Sequence, residues 1–113
     1  MKLPLAVAAA LAVLVPGPSA SAETFEDVAF IDTMCLASFK GKVDTHTREC
    51  ALQCVKGGFG IVLADGMFLR LDEAGNRLAE DALKASAKET NLRVTVVGDR
   101  QDDTLKVKSL RLK

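Results

Sequence analysis

Two short apolar runs, residues 59–64 and 67–71, are separated only by Asp65-Gly66 and Met67 opens the second. Asp-Gly is the preferred central pair of a two-residue hairpin turn, because that turn needs positive φ at both positions. The pair predicts an antiparallel hairpin and commits the middle of the chain to β structure. Three further segments read as strands. Residues 24–33 are mostly β-branched or aromatic around Val28-Ala29-Phe30-Ile31, and residues 92–97 alternate apolar with polar. After a polar turn at 99–103, residues 105–112 form the last strand, whose apolar positions change parity between Val107 and Leu110. A parity change predicts a β-bulge, here near Lys108-Ser109, of the kind that bends a strand into a small barrel.

Two helical patterns interrupt the strands. After a loop at 34–43, Asp44 or Thr45 can cap a short helix that places Cys50, Ala51, Cys54 and Val55 on one face, and Gly57-Gly58 stops it. Later, Leu78, Ala79, Ala82, Leu83 and Ala87 form a stripe that follows a turn at 72–76 and is capped by Asn76. With the Cys-bearing helix set aside, five strands remain with a helix between the third and fourth. That is the order of an OB-fold-like barrel, mainly β with two short helices. The alternative is an α+β sheet with both helices on one face.

The two ends of the chain differ in kind. Residues 1–22 begin with one Lys, run apolar through Val15, break at Pro16-Gly17-Pro18 and end in Ala20-Ser21-Ala22. This is the pattern of a secretory signal cleaved before Glu23. The apolar run falls short of the roughly 20 residues that span a bilayer, so no stable membrane insertion is expected after cleavage. Residues 23–113 then form one small exported domain, periplasmic or secreted. Of the chain's 15 basic residues Lys2 is lost, against 15 acidic residues retained, a formal charge of −1. A near-neutral domain without Trp or Tyr has neither the charge nor the stacking surfaces of a nucleic-acid binder.

The chemically distinctive residues are Cys35, His46, Cys50 and Cys54. The last three are spaced H-x3-C-x3-C, so successive members can share a helical face. His46 to Cys54 nevertheless spans about 12 Å of helix at 1.5 Å per residue. His46 must therefore lie just before the helix and fold back, or belong elsewhere. Two readings compete. In the first, Cys35 pairs with Cys50 or Cys54 in a disulfide that staples the helix to the barrel, worth about 2–4 kcal/mol. In the second, Cys35, His46, Cys50 and Cys54 hold Zn(II) or Cu(I), the ions suited to thiolate and imidazole. Neither C-x-x-C nor a phosphate loop is present, and no convincing catalytic constellation emerges. Met34 and Met67 read as core filler.

Asp32-Thr33-Met34-Cys35, His46, the run from Cys50 to Gly58 and the hairpin from Ile61 to Gly66 together resemble uncharacterised small exported bacterial proteins. That resemblance implies an OB-like barrel and a shared Cys/His constellation, and it carries no established activity. The expected function is a small exported binding or interaction module of unknown ligand or protein partner, stapled by a disulfide. The alternative is a periplasmic metal-binding protein that uses the Cys/His cluster.

Overall fold

The computed structural model describes residues 22–113, so the signal read at 1–22 lies almost wholly outside the described residues. Five strands close into a barrel in the order β1-β2-β3-β5-β4. They are β1 Glu23–Asp32, β2 Phe59–Val62, β3 Phe68–Leu71, β4 Arg93–Gln101 and β5 Thr104–Leu112. Two α-helices accompany them, α1 Arg48–Gln53 between β1 and β2 and α2 Glu73–Ala85 between β3 and β4. All neighbouring strands run antiparallel except β3 and β5, which are parallel. This is the mainly β, OB-like barrel expected from the order of elements.

The wall closes because two strands are irregular. In β5, Val97 faces Ser109 while Gly98 faces Val107, so Lys108 is the extra residue of a bulge. The parity change marked this position correctly. A second irregularity lies in β1 between Phe25 and Val28, where Asp27 has φ of +54°. Inside the wall, Phe30, Ile61, Leu69, Val94, Val96 and Leu105 are almost fully buried, and Phe30 stacks on Phe59 with ring centroids 5.2 Å apart.

The hairpin is present, but its turn differs from expectation. Leu63 N–H donates to Met67 O at 2.8 Å and Gly66 N–H to Leu63 O at 2.9 Å. Only Gly66 has positive φ, +88°, while Asp65 does not. The loop therefore has three residues, a type I turn followed by a left-handed glycine, and not the two-residue turn expected. Asp65 contributes through its side chain, which accepts from Met67 N at 3.0 Å.

Helix boundaries also moved. α2 starts at Glu73 because Asp72 caps it, accepting from Gly75 N at 2.9 Å and also from Val107 N of β5 at 3.2 Å. Asn76, expected as the cap, lies inside the helix and instead accepts from Phe59 N at 2.9 Å. Gly75 lets α2 approach β5, since a Cβ there would stand 2.5 Å from Val107 Cγ2. α1 is capped by Thr47, which accepts from Cys50 N at 3.1 Å, not by Asp44 or Thr45. Those two residues sit in a preceding 3-10 turn, Val43–Thr45. The polar turn after β4 is likewise shorter than expected, because the β4–β5 ladder continues to Gln101 and Thr104.

Candidate metal centre

β1 ends on an acidic residue placed directly after the buried pair Phe30-Ile31, and Asp32 is itself fully buried. Its Oδ2 accepts from Cys35 N at 3.0 Å, which turns the chain out of the strand into a 3-10 turn, Thr33–Cys35. The same turn brings the Cys35 sulfur beside the Asp32 carboxylate. His46 arrives from the other direction. It leaves the turn Val43–Thr45 in an extended conformation, φ −69° and ψ 145°, one residue before the Thr47 cap. It is thus outside the helix and folded back, which resolves the length problem posed by H-x3-C-x3-C. Its ring is fully buried, with Phe39 edge-on at 4.9 Å between centroids.

One donor atom each from Asp32, Cys35 and His46 lie within 4.8 Å of one another. His46 Nε2 is 2.9 Å from Asp32 Oδ1, within ion-pair distance, yet neither atom has a hydrogen-bond partner. His46 Nδ1 is also without a partner. Buried imidazole nitrogens and buried carboxylate oxygens are ordinarily satisfied, since an unpaired one costs about 1–3 kcal/mol. Three unsatisfied atoms on two fully buried side chains, converging on one thiol, describe a site that a cation would complete.

The electrostatics of the metal-free centre follow from its burial. Burial pushes the Cys35 thiol up to about 12, and the negative charge of Asp32 adds to the effect. Burial also holds the His46 imidazole below its usual value, with Asp32 pulling the other way. Without a cation the Cys35 thiol and the His46 imidazole are therefore both uncharged at neutral pH. Cys35 is not an activated nucleophile in this state, because the thiolate is the reactive form. Nor is the order that of a catalytic triad, in which the acid orients one ring nitrogen and the nucleophile meets the other. Here Asp32 lies against both of the other residues, and His46 Nδ1 faces no protein donor or acceptor.

The four residues singled out in the sequence divide. Cys35 and His46 come together in the centre. Cys54, which caps the C-terminus of α1, is the neighbouring thiol of Cys35 and so adjoins the centre. Cys50, half-buried in the first turn of α1, belongs to neither contact, because side chains one turn apart sit at different heights along a helix. All three cysteines are free thiols, so the expected staple from Cys35 to the helix is not formed. The segment is instead anchored by hydrogen bonds. Arg48 Nε donates to Leu83 O at 2.7 Å, Asn91 N to Asp44 O at 2.8 Å, and Thr33 N to Gly58 O at 2.9 Å. Asp32 is the donor that reasoning from Cys and His spacing passed over. Its signal was a charge adjoining the most apolar stretch of β1, where it also caps the turn that follows. Met34 and Met67 are exposed, 66% and 45%, and neither fills the core.

Residues 36–45, the middle of β1 and the β2–β3 hairpin line an open groove of about 1300 Å³. Val28, Leu63 and Phe68 contribute apolar surface to it, and Lys40, Lys42 and the Arg93–Asp44 ion pair contribute charge. Among the described residues, no helix is long and apolar enough to cross a membrane. Comparison with known proteins finds no matching family model, no matching curated protein and no matching solved structure.

Proposed function

We propose that this chain is a small OB-like barrel that holds a Zn(II) ion through Asp32, Cys35 and His46, with Cys54 as the adjoining fourth donor. The observation that carries the reading is the pair of fully buried side chains, Asp32 and His46, whose facing atoms stand 2.9 Å apart without a hydrogen bond. A tetrahedral ion with bonds of about 2.0 Å to nitrogen and oxygen sets those two atoms about 3.3 Å apart, so the pair opens by only a few tenths of an ångström. The donor set also chooses between the two ions considered from the sequence. Cu(I) favours sulfur donors, whereas a carboxylate, an imidazole and thiolates together suit Zn(II). A bound cation replaces the proton on Cys35 and satisfies the unpaired atoms of Asp32 and His46. It also links β1 to the entry of α1, and so organises the segment between β1 and β2.

The test is a competition titration of reduced, metal-free protein against a chromophoric chelator, with Co(II) as a spectroscopic substitute. One Zn(II) per chain is expected, with a thiolate-to-cobalt charge-transfer band in the Co(II) form. Asp32→Asn and His46→Leu should each weaken uptake by more than about 100-fold, beyond the loss seen when partners one shell further out are removed. Fully reduced protein that takes up neither ion stoichiometrically would refute the reading.

A second reading has its own observation. The groove between segment 33–58 and the hairpin is large enough for a small ligand or an extended peptide, consistent with a binding module. None of Asp32, Cys35, His46 and Cys54 lines that groove, so the two functions are compatible.

A further inference from the structure

We infer that Cys35 and Cys54 form a reversible disulfide that dismantles the metal centre, making the site a thiol switch. The inference rests on the metal reading above. Its basis is that Cys35 is shared. Its sulfur lies within 4.8 Å of donor atoms of Asp32 and His46, and Cys54 is its neighbouring thiol. A sulfur bound to another sulfur has no thiolate charge to give a cation. Oxidation therefore leaves Asp32 and His46 as two donors, too few for a closed zinc site. Cys54 ends α1 as its C-cap, while Cys35 ends the turn that Asp32 caps. The pair thus joins two short elements of one segment and leaves the barrel hydrogen bonds untouched. Cys50 takes no part, which accounts for a third cysteine outside the pair.

The oxidant required is a disulfide, of a small molecule or of a protein, and the export signal read at residues 1–22 would deliver the chain to a compartment where such exchange occurs. One of the two cysteines loses its proton to water, attacks the oxidant as the thiolate and forms a mixed disulfide, releasing one thiolate. The other likewise loses its proton to water, and its sulfur attacks the first and expels the second thiolate. Two protein thiols become one disulfide, and one oxidant disulfide becomes two thiols.

The experiment treats metal-free protein with oxidised glutathione, maps disulfides by peptide mass spectrometry and titrates the product with Zn(II). The expected product carries a Cys35–Cys54 disulfide, binds Zn(II) more than about 100-fold more weakly than reduced protein, and regains affinity with a thiol reductant. Prior loading with Zn(II) should slow disulfide formation. Cys50→Ser should preserve both behaviours, and Cys54→Ser should abolish any intramolecular disulfide at Cys35. Disulfides that run through Cys50 overturn the inference. So does an oxidised protein that binds Zn(II) as tightly as the reduced one, a result that leaves the metal centre standing. Reduced protein that takes up no Zn(II) overturns the metal centre and the switch together, whatever the map shows.

Discussion

The β4–β5 ribbon and the segment 33–58 are held together in different ways. The ribbon is paired from Val94 with Leu112 down to Gln101 with Thr104, interrupted only at Lys108. Its inward side chains, Val94, Val96, Leu105 and Val107, are buried. The segment contains three short 3-10 turns, the two-turn helix α1 and a fourth 3-10 turn, with Ala51 as its one buried apolar side chain. Its other fully buried residue is His46. One region is held by a ladder and apolar packing, which any sequence of suitable pattern supplies. The other is held by single polar contacts, each of which needs a particular residue. What this contrast teaches is where stability and chemistry are separately stored. Leaving three buried polar atoms unpaired is tolerable only beside a barrel stable enough to carry them.

The contrast can be broken most severely from the barrel side. Leu105→Ala removes a fully buried side chain from the core and should cost about 2–5 kcal/mol. Chemical denaturation should show the loss with or without Zn(II), and a loss that appears only with metal would contradict the division. The segment should respond to the ion instead. Zn(II) at 100 times its dissociation constant should raise the stability of reduced wild-type protein by about 2.7 kcal/mol. His46→Leu should remove that gain entirely, yet cost the metal-free protein less than about 1 kcal/mol, because a volume-conserving apolar side chain replaces two unpaired nitrogens. A large destabilisation of metal-free His46→Leu would show that the imidazole supports the fold by itself.

Gly66→Val sharpens the barrel side by isolating the backbone. No atom lies within 4 Å of a Cβ built there, so only the left-handed conformation opposes the substitution. Thermal or denaturant unfolding should register about 1–2 kcal/mol, the cost of that conformation for an L-residue. Asp65→Val, at a position without positive φ, should cost less than Gly66→Val, which separates the observed three-residue loop from a two-residue one.

The smallest effect expected concerns pH in the metal-free protein. Burial lowers the His46 value in the fold below its unfolded value of about 6.5, so at neutral pH the ring is neutral in both states and costs nothing further. As pH falls below that value, the unfolded chain takes up a proton that the folded chain refuses. Stability is therefore lost, by at most about 1.4 kcal/mol per pH unit until the folded ring also titrates. Asp32 limits the loss by attracting the proton. Comparing melting temperatures between pH 7 and 5 should show a steeper decline for wild type than for His46→Leu, and equal slopes would refute the assignment.

Residue patterns made most of the barrel legible. The hairpin, the strand order, the helix between the third and fourth strands and the bulge at Lys108 all follow from periods and turn chemistry that act over a few residues. Details that depend on side chains meeting across space did not follow. Asp72 outcompeted Asn76 as the cap of α2 because it also bonds Val107 of β5. Thr47 outcompeted Asp44, whose carboxylate is engaged by Arg93 at 3.0 Å.

The centre divides in the same way. Residue type and spacing picked out Cys35, His46, Cys50 and Cys54 as an unusual concentration of donors, because thiols and imidazole are recognisable by type. They could not separate Cys54 from Cys50, which share a helix face in projection and differ by one turn of rise. Nor could they promote Asp32 above the chain's other acidic residues, since an acid gains meaning as a ligand only once burial removes the water around it. Local pattern determined the barrel and the candidate donors, because hydrogen bonding and apolar periodicity act between near neighbours. The closing of the β1–β2 segment decided which donors meet, because that contact brings together residues 32, 35, 46 and 54 through a path no short-range rule describes.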